Sequence, residues 1–319
     1  MLHVFLKKVL MGLTVCLGLA ACGDMPEDFM RVGTNVWPGY EPAYLARDLG
    51  YLSSSHIKLS QFQSATETIR AFRNGAIDVV ALTLDEALLL AQDGIDIQIF
   101  LVADISDGGD VIVAQPGIEK IGDLRGRTIG VESSALGAYV LARALEIYGV
   151  PFDEVQLAHL TVDEAEQAFY DVNVDAVVTF EPYRSRMINN GAMEIFSSRE
   201  MPNEIVDVLV TRRDFAEANP DQISALSKAW LKAVTFIETS PLDAAAMIGE
   251  RLGLTVEDAH ASFIGLRLPG IAENLDLLRH DSSISLIDGA DKLSTVLVRL
   301  GLLKKSVPMN GVFTDAYLR

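Results

Sequence analysis

The sequence predicts an α/β protein built from two similar βα lobes. Three observations carry that prediction. Strand-like and helix-like patterns alternate along the chain, the central strands are near-continuous apolar runs, and the same order of elements occurs twice. Strands alternating with short helices imply βαβ units and a mostly parallel sheet. An unbroken apolar strand is one covered on both faces.

In the first pass, Met30 to Val36 reads as a strand, broken by Trp37-Pro38-Gly39 and followed by a helix from Tyr40 to Leu49. His56 to Phe62 is a strand, and Ser64 to Asn74 a helix with Ile69, Ala71 and Phe72 facing inward. Ile77 to Thr83 is the apolar central strand, Asp85 to Gln92 a helix ended by Asp93-Gly94, and Asp96 to Val102 a further strand. The order then recurs. Thr128 to Val131 is a strand, Leu136 to Tyr148 a helix, and Val155 to Leu160 extended; Val162 to Tyr170 is helical and Val174 to Thr179 a strand. Arg31-Val32-Gly33 parallels Thr128-Ile129-Gly130, and the run Ile77 to Thr83 parallels Val174 to Thr179. Two short matches in the same order suggest two similar lobes.

Asp104 to Asp110 links the passes. Its carboxylates and glycines invite a calcium-loop reading, but the spacing fails the Asp-x-Asp-x-Asp-Gly pattern and the twelfth-position Glu is missing. It is read as an inter-lobe turn into a strand at Val111 to Ala114. Past Asn203, Ile205 to Val210 is one more apolar strand. The amphipathic helices Gln222 to Glu238, Pro241 to Leu252, Val256 to Leu266 and Leu286 to Leu300 follow. A strand after the second pass sends the chain back, so the first lobe is expected over 30–109 plus 208–319 and the second over 110–207.

The chain has 319 residues, with 44 Asp plus Glu against 26 Lys plus Arg and a net charge of −18. So acidic a chain argues against nucleic-acid binding, and an apolar half excludes disorder. Residues 1–22 read as an export signal. Lys7 and Lys8 form the positive region, Val9 to Leu19 an apolar run too short to span a membrane, and Leu19-Ala20-Ala21-Cys22 an end like a lipobox. Cys22 is thus expected to be the lipidated (palmitate-bearing) N-terminus, with an ordinary secretory signal as the alternative. Removal of the signal takes away Lys7, Lys8 and Cys16, lowers the charge by two to −20, and leaves no other Cys in the body. The expected location is the cell envelope, lipid-anchored and facing the periplasm or the exterior.

In an open α/β sheet, ligands bind beyond the C-terminal strand ends, near helix N-termini. Four such turns stand out. Asn35, Trp37 and Tyr40 occupy the first, where Trp37 either caps the core or faces a ligand. Thr83 and Asp85 occupy the second, Asp85 reading as a helix N-cap that can also face the cleft. Ser133, Ser134 and Gly137 form the third, a capping turn whose free amides also suit an anion. Glu181 sits in the fourth, complementing a helix dipole or receiving a ligand cation. Catalytic constellations are missing. His56, His159, His260 and His280 are scattered without metal-ligand spacing, and neither a Gly-x-Ser-x-Gly elbow nor a phosphate loop occurs. The chain is therefore read as a non-enzyme without metal or cofactor.

Four stretches carry a specific resemblance: Val32 to Tyr51, Ile121 to Ser133, Asp175 to Tyr183, and Pro241 to Leu254. With Leu300 to Leu303 and Tyr317-Leu318, they make the chain similar to the solute-binding proteins of ABC importers, in the nitrate/taurine/sulfonate branch that also includes pyrimidine- and thiamine-precursor binders. The resemblance implies a type II periplasmic-binding-protein fold: two lobes, a two-strand hinge, and a ligand closed between them. It implies that Asn35, Trp37, Tyr40, Thr83, Asp85, Ser133, Ser134, Gly137 and Glu181 lie at or near the cleft. The implied partners are a small-molecule ligand and an ABC permease, with a monomer as the working unit. A membrane sensor is the alternative partner. A pyrimidine-precursor synthase is the alternative activity, and it would need a His- or Cys-rich iron site. The ligand stays open among a sulfonate, an amino-sulfonate zwitterion and a pyrimidine-like heterocycle.

Overall fold

The computed structural model describes residues 29–53, 56–132, 134–309 and 311–319. The export signal, Cys22 and Ser133 lie outside the described residues. The first part of the chain runs β1 (Met30–Thr34), α1 (Glu41–Asp48), β2 (Ile57–Gln61), α2 (Ala65–Arg73), β3 (Val79–Thr83), α3 (Leu84–Gln92) and β4 (Ile97–Ser106). The second runs β5 (Val111–Ala114), β6 (Thr128–Val131), α4 (Ala135–Ile147), β7 (Gln156–His159), α5 (Val162–Tyr170), β8 (Ala176–Thr179), α6 (Tyr183–Asn189) and β9 (Met193–Ser197). The chain then enters β10 (Val206–Arg212), α7 (Arg213–Ala218), α8 (Pro220–Thr239), α9 (Pro241–Leu252), α10 (Val256–Ala261), β11 (Leu266–Arg267), α11 (Ile271–Leu278) and α12 (Leu286–Arg299).

Two sheets result, in the orders β11-β4-β10-β3-β1-β2 and β7-β6-β8-β5-β9. In the first, β1 pairs in parallel with β2 and β3, and β10 lies antiparallel between β3 and β4. In the second, β6 pairs in parallel with β7 and β8, and β5 lies antiparallel to β8 and β9. The order β2-β1-β3-β10 thus reappears as β7-β6-β8-β5, the same three parallel strands flanked by one antiparallel return. The duplication reaches side chains. Asp78, just before β3, accepts from the Arg31 amide (2.8 Å) and Arg31 Nε (2.9 Å) at the start of β1. Asp175, just before β8, accepts from the Thr128 amide (2.9 Å) and Arg127 (3.0 Å) at the start of β6.

The second sheet shows why its strands are apolar on both sides. Ile112, Ala114, Ile129, Ala176 and Val178 join the large core shared with the first sheet, while Val111, Val113 and Val177 pack with Phe169 and Met187 on the other face. Strand side chains alternate faces, so both parities must be apolar when helices cover both.

Two expected elements need correction. The segment Asp104–Asp110 does not begin as a turn, because β4 continues to Ser106 and every residue of it is buried. The helix expected over Val256 to Leu266 ends at Ala261, and Leu266-Arg267 pair with β4. Gly265 forces that exit. A Cβ there would stand 2.6 Å from the Gly109 amide nitrogen and 2.7 Å from the Gly108 carbonyl carbon, so backbone packs on backbone. Among the described residues, no helix is long and apolar enough to cross a membrane.

The chain passes between the sheets twice, at 107–110 and 198–205, and the two crossings are tied together. Ser106 and Ser198 share a 2.8 Å hydroxyl contact, the Gly108 amide donates to Ser198 Oγ (2.6 Å), and the Ser198 amide donates to the Asp110 carbonyl (2.9 Å).

Candidate functional site

A cavity with about 570 Å³ of unfilled space, counted out to its mouth, lies between the two sheets. Its walls come from strand ends of both lobes, as expected for an open α/β sheet. After β1, the turn of Asn35, Trp37 and Tyr40 lines it; after β3, Thr83 and Glu86; after β6, Glu132, Ser134 and Gly137; after β8, Phe180.

Contacts cross the cleft at both sides of this cavity. Trp37 from the first lobe meets Phe180 from the second edge-on, with ring centroids 5.4 Å apart. The amide of Thr66, at the start of α2, donates to Glu132 Oε1 (3.2 Å), as does its hydroxyl (3.3 Å). The described conformation is therefore one in which the lobes touch.

The carboxyl groups of Glu86, Asp110, Glu132 and Asp207 line the cavity, and Asp104 lies behind Asp207. Asp104 on β4 and Asp207 on β10 are direct cross-strand partners, and Asp207 in turn faces Thr83 on β3. Trp37 Nε1 donates to Asp104 Oδ2 (2.9 Å), and the Tyr40 hydroxyl donates to Asp207 Oδ1. Gly39 is what lets the Trp37 turn lie so close. A Cβ there would overlap Asp104 Oδ2 and stand 2.5 Å from Trp37 Nε1. Glu86 caps α3, its Oε2 accepting from the Thr83 amide (3.2 Å), and Asp110 ends the first crossing.

Burial dominates the protonation of all these groups. It raises Glu86 to about 8, helped by the nearby charges of Asp85 and Glu132 and opposed by the Thr83 amide and Ser134. Burial raises Asp104 to about 8 against the Trp37 hydrogen bond, and Asp110 to about 7 against its contact with Ser106. Asp207 is pushed well up by burial and then by Asp104. Desolvation and crowding of like charges both favour the neutral acid.

Asn35, Trp37, Tyr40, Thr83, Ser134 and Gly137 all line the cavity. Trp37 both lines it and is buried, so core capping and cavity facing are one position here. Asp85 and Glu181 do not line it. The N-cap of α3 is Thr83, two residues before Asp85, and the helical turn then brings Glu86 to the cavity instead. Glu181 faces an adjoining pocket with Pro38, Ser185 and Arg186, where Arg184 (3.1 Å) and the Ser185 hydroxyl (2.9 Å) donate to it. Its bond to Pro182 is cis. Sequence reasoning missed Glu86, Asp104, Asp110, Glu132 and Asp207 as site residues. The available signal was a carboxylate inside an apolar strand, as in Phe100-Leu101-Val102-Ala103-Asp104-Ile105 and Ile205-Val206-Asp207-Val208.

Two α/β lobes, paired crossings and a cavity walled by strand ends from both define the two-lobe fold of the periplasmic binding proteins. The chain belongs to the NMT1-like family, whose model matches residues 23–252. It is 24% identical over 271 residues to the putative aliphatic sulfonates-binding protein of Escherichia coli, covering 83% of this chain and 84% of that one. It is also 24% identical over 216 residues to the taurine-binding periplasmic protein of Escherichia coli, covering 64% and 67%. Among solved structures it resembles the alkanesulfonate-binding protein SsuA from Xanthomonas axonopodis pv. citri bound to MOPS, with a TM-score of 0.76, 16% identity, and 89% and 96% of the two chains covered. The desulfurization enzyme DSZB shares the fold at a TM-score of 0.66 and 14% identity, over 91% and 97% of the chains.

Proposed function

We propose that this protein is a solute-binding protein of an ABC importer, held to the envelope membrane by a lipid on Cys22. It captures a small organic molecule between lobe I (30–109 plus 208–319) and lobe II (110–207). One observation carries the reading: a cavity between the sheets whose walls and floor come from strand ends of both lobes. The proposed cycle is capture in the open state, closure about the paired crossings and docking of the closed form on a permease. The sulfonates and taurine named for the relatives are the first candidates, together with pyrimidine-like heterocycles. The carboxyl floor favours those bearing an amine. A membrane sensor in place of the permease would use the same closure, and gene neighbourhood separates the two.

A binding role fits better than the catalysis found in DSZB. Among the described residues no histidine lines the cavity, and Cys occurs only at positions 16 and 22. The test is a thermal-shift screen of the full chain against alkanesulfonates, taurine, pyrimidines and small amines, with scattering to read closure. A hit that raises Tm and compacts the protein supports solute capture; no shift and no compaction with any of them contradicts it.

A further inference from the structure

We infer that the solute carries a small organic cation, its protonated nitrogen held by Glu86 and Asp110 and its apolar body lying against Leu136, Val162 and Phe180. The inference rests on the solute-binding reading of the same cavity. It is carried by oxygens that nothing else satisfies. Glu86 and Asp110 line the cavity at 2% exposure each, yet Glu86 Oε1 and Asp110 Oδ2 have no hydrogen-bond partner. Buried polar atoms are ordinarily paired, so in the ionised form both oxygens call for a donor.

Charge decides what kind of donor fits. Glu86, Asp110, Glu132 and Asp207 line the cavity, and no Lys, Arg or His does among the described residues. Arg143 is committed to Glu204, Arg184 to Glu181 and Glu194, and Arg186 to Glu166. Once these acids are ionised, a sulfonate or carboxylate placed here would meet like charges in a buried site, where the repulsion is little screened. A charged N–H group meets carboxylate acceptors in the ionised Glu86 and Asp110, and charge-assisted hydrogen bonds are the strong ones. Among the described residues, no group of three acidic, His or Cys side chains is arranged to hold a metal ion. That geometry points to an organic cation. The rest of the lining, with Ala65, Val178 and Phe180, is apolar and suits a hydrocarbon or aromatic body.

Protonation then gates binding. Glu86 faces Asp85 on its own helix, Glu132 and Ser134 across the cleft, and Asp207 on β10; Asp110 faces Asp85, Asp104 and Asp207. Tyr40 donates to Asp207, and Tyr139 on α4 lies near Asp85. With these neighbours Glu86 and Asp110 are neutral acids below about pH 7. A cation binds the ionised form, so its affinity rises with pH.

The experiment is calorimetric titration of the full chain with benzamidine and with benzenesulfonate, which share one ring and carry opposite charge. Benzamidine should bind at pH 8, at least tenfold more weakly at pH 6, and at least tenfold more weakly to Glu86→Gln and Asp110→Asn. Circular dichroism should show both variants folded. Benzenesulfonate should not bind. Preferential benzenesulfonate binding overturns the cationic assignment and leaves solute capture standing. Binding of neither probe at millimolar concentration also overturns it, while a hit with another solute in the thermal screen keeps the capture reading. Benzamidine binding that ignores pH and both substitutions overturns the roles of Glu86 and Asp110.

Discussion

At the scale of single residues, the cavity floor depends on a few close approaches. Gly39→Ala puts a methyl group into Asp104 and against the Trp37 indole nitrogen. The expected cost is about 1–3 kcal/mol, as for other overpacked sites, read as a lower urea midpoint together with weaker solute binding. An unchanged midpoint would mean that the Trp37 turn relaxes freely. The carboxyl groups predict a pH signature. Glu86 at about 8 lies above its ordinary value, so below about pH 4 it is protonated in both the folded and the unfolded state. Between about pH 4 and pH 8 the folded state binds more protons, and stability falls as pH rises. Glu86→Gln removes that dependence. In the absence of solute, the variant should match the parent at pH 4 and exceed it at pH 8 by at least about 1 kcal/mol, or roughly 2 °C in Tm for a protein of this size. A variant-to-parent difference that is the same at both pH values would show that Glu86 is not a destabilised acid.

At the scale of elements, most of the architecture could be read from periodicity. The strands at Met30, Ile77, Thr128 and Val174 are apolar because helices cover both faces, and that pattern survives in a single sequence. β9 (Met193–Ser197) was not legible, because it is an edge strand in which Met193 and Glu194 are exposed and the apolar pattern is lost. The turns after β1, β3 and β6 were found by looking for strand ends before helices. The choice of Asp85 over Glu86 failed on a two-residue error in the N-cap, enough to swap which carboxylate faces the cavity. Asp104 and Asp207 were hidden because a strand pattern gives their parity but not what lies across from them. The crossings supply an element-scale prediction. Gly265→Ala forces a methyl group onto the Gly108–Gly109 backbone. It should cost about 1–3 kcal/mol and loosen the pairing of β11 with β4, seen as faster amide exchange in that pair. Unaltered exchange would show that the crossing has slack.

At the scale of the whole molecule, an acidic body with a net charge of −18 encloses a cavity whose floor is also acidic, so the long-range field and the local site favour the same sign of ligand. The lipid tether is tested separately. Cys22→Ser should release the protein from membranes, and continued membrane association would refute lipidation. The most direct measurement of the central claim is mass spectrometry, in both ion polarities, of small molecules released by denaturing protein purified from its native host. One solute of small mass bearing an amine or amidine, near one per chain, is the predicted result. A stoichiometric anion with no basic nitrogen would contradict the cationic floor. Protein that releases nothing and stays unchanged in scattering when challenged with amines and sulfonates would contradict solute capture itself.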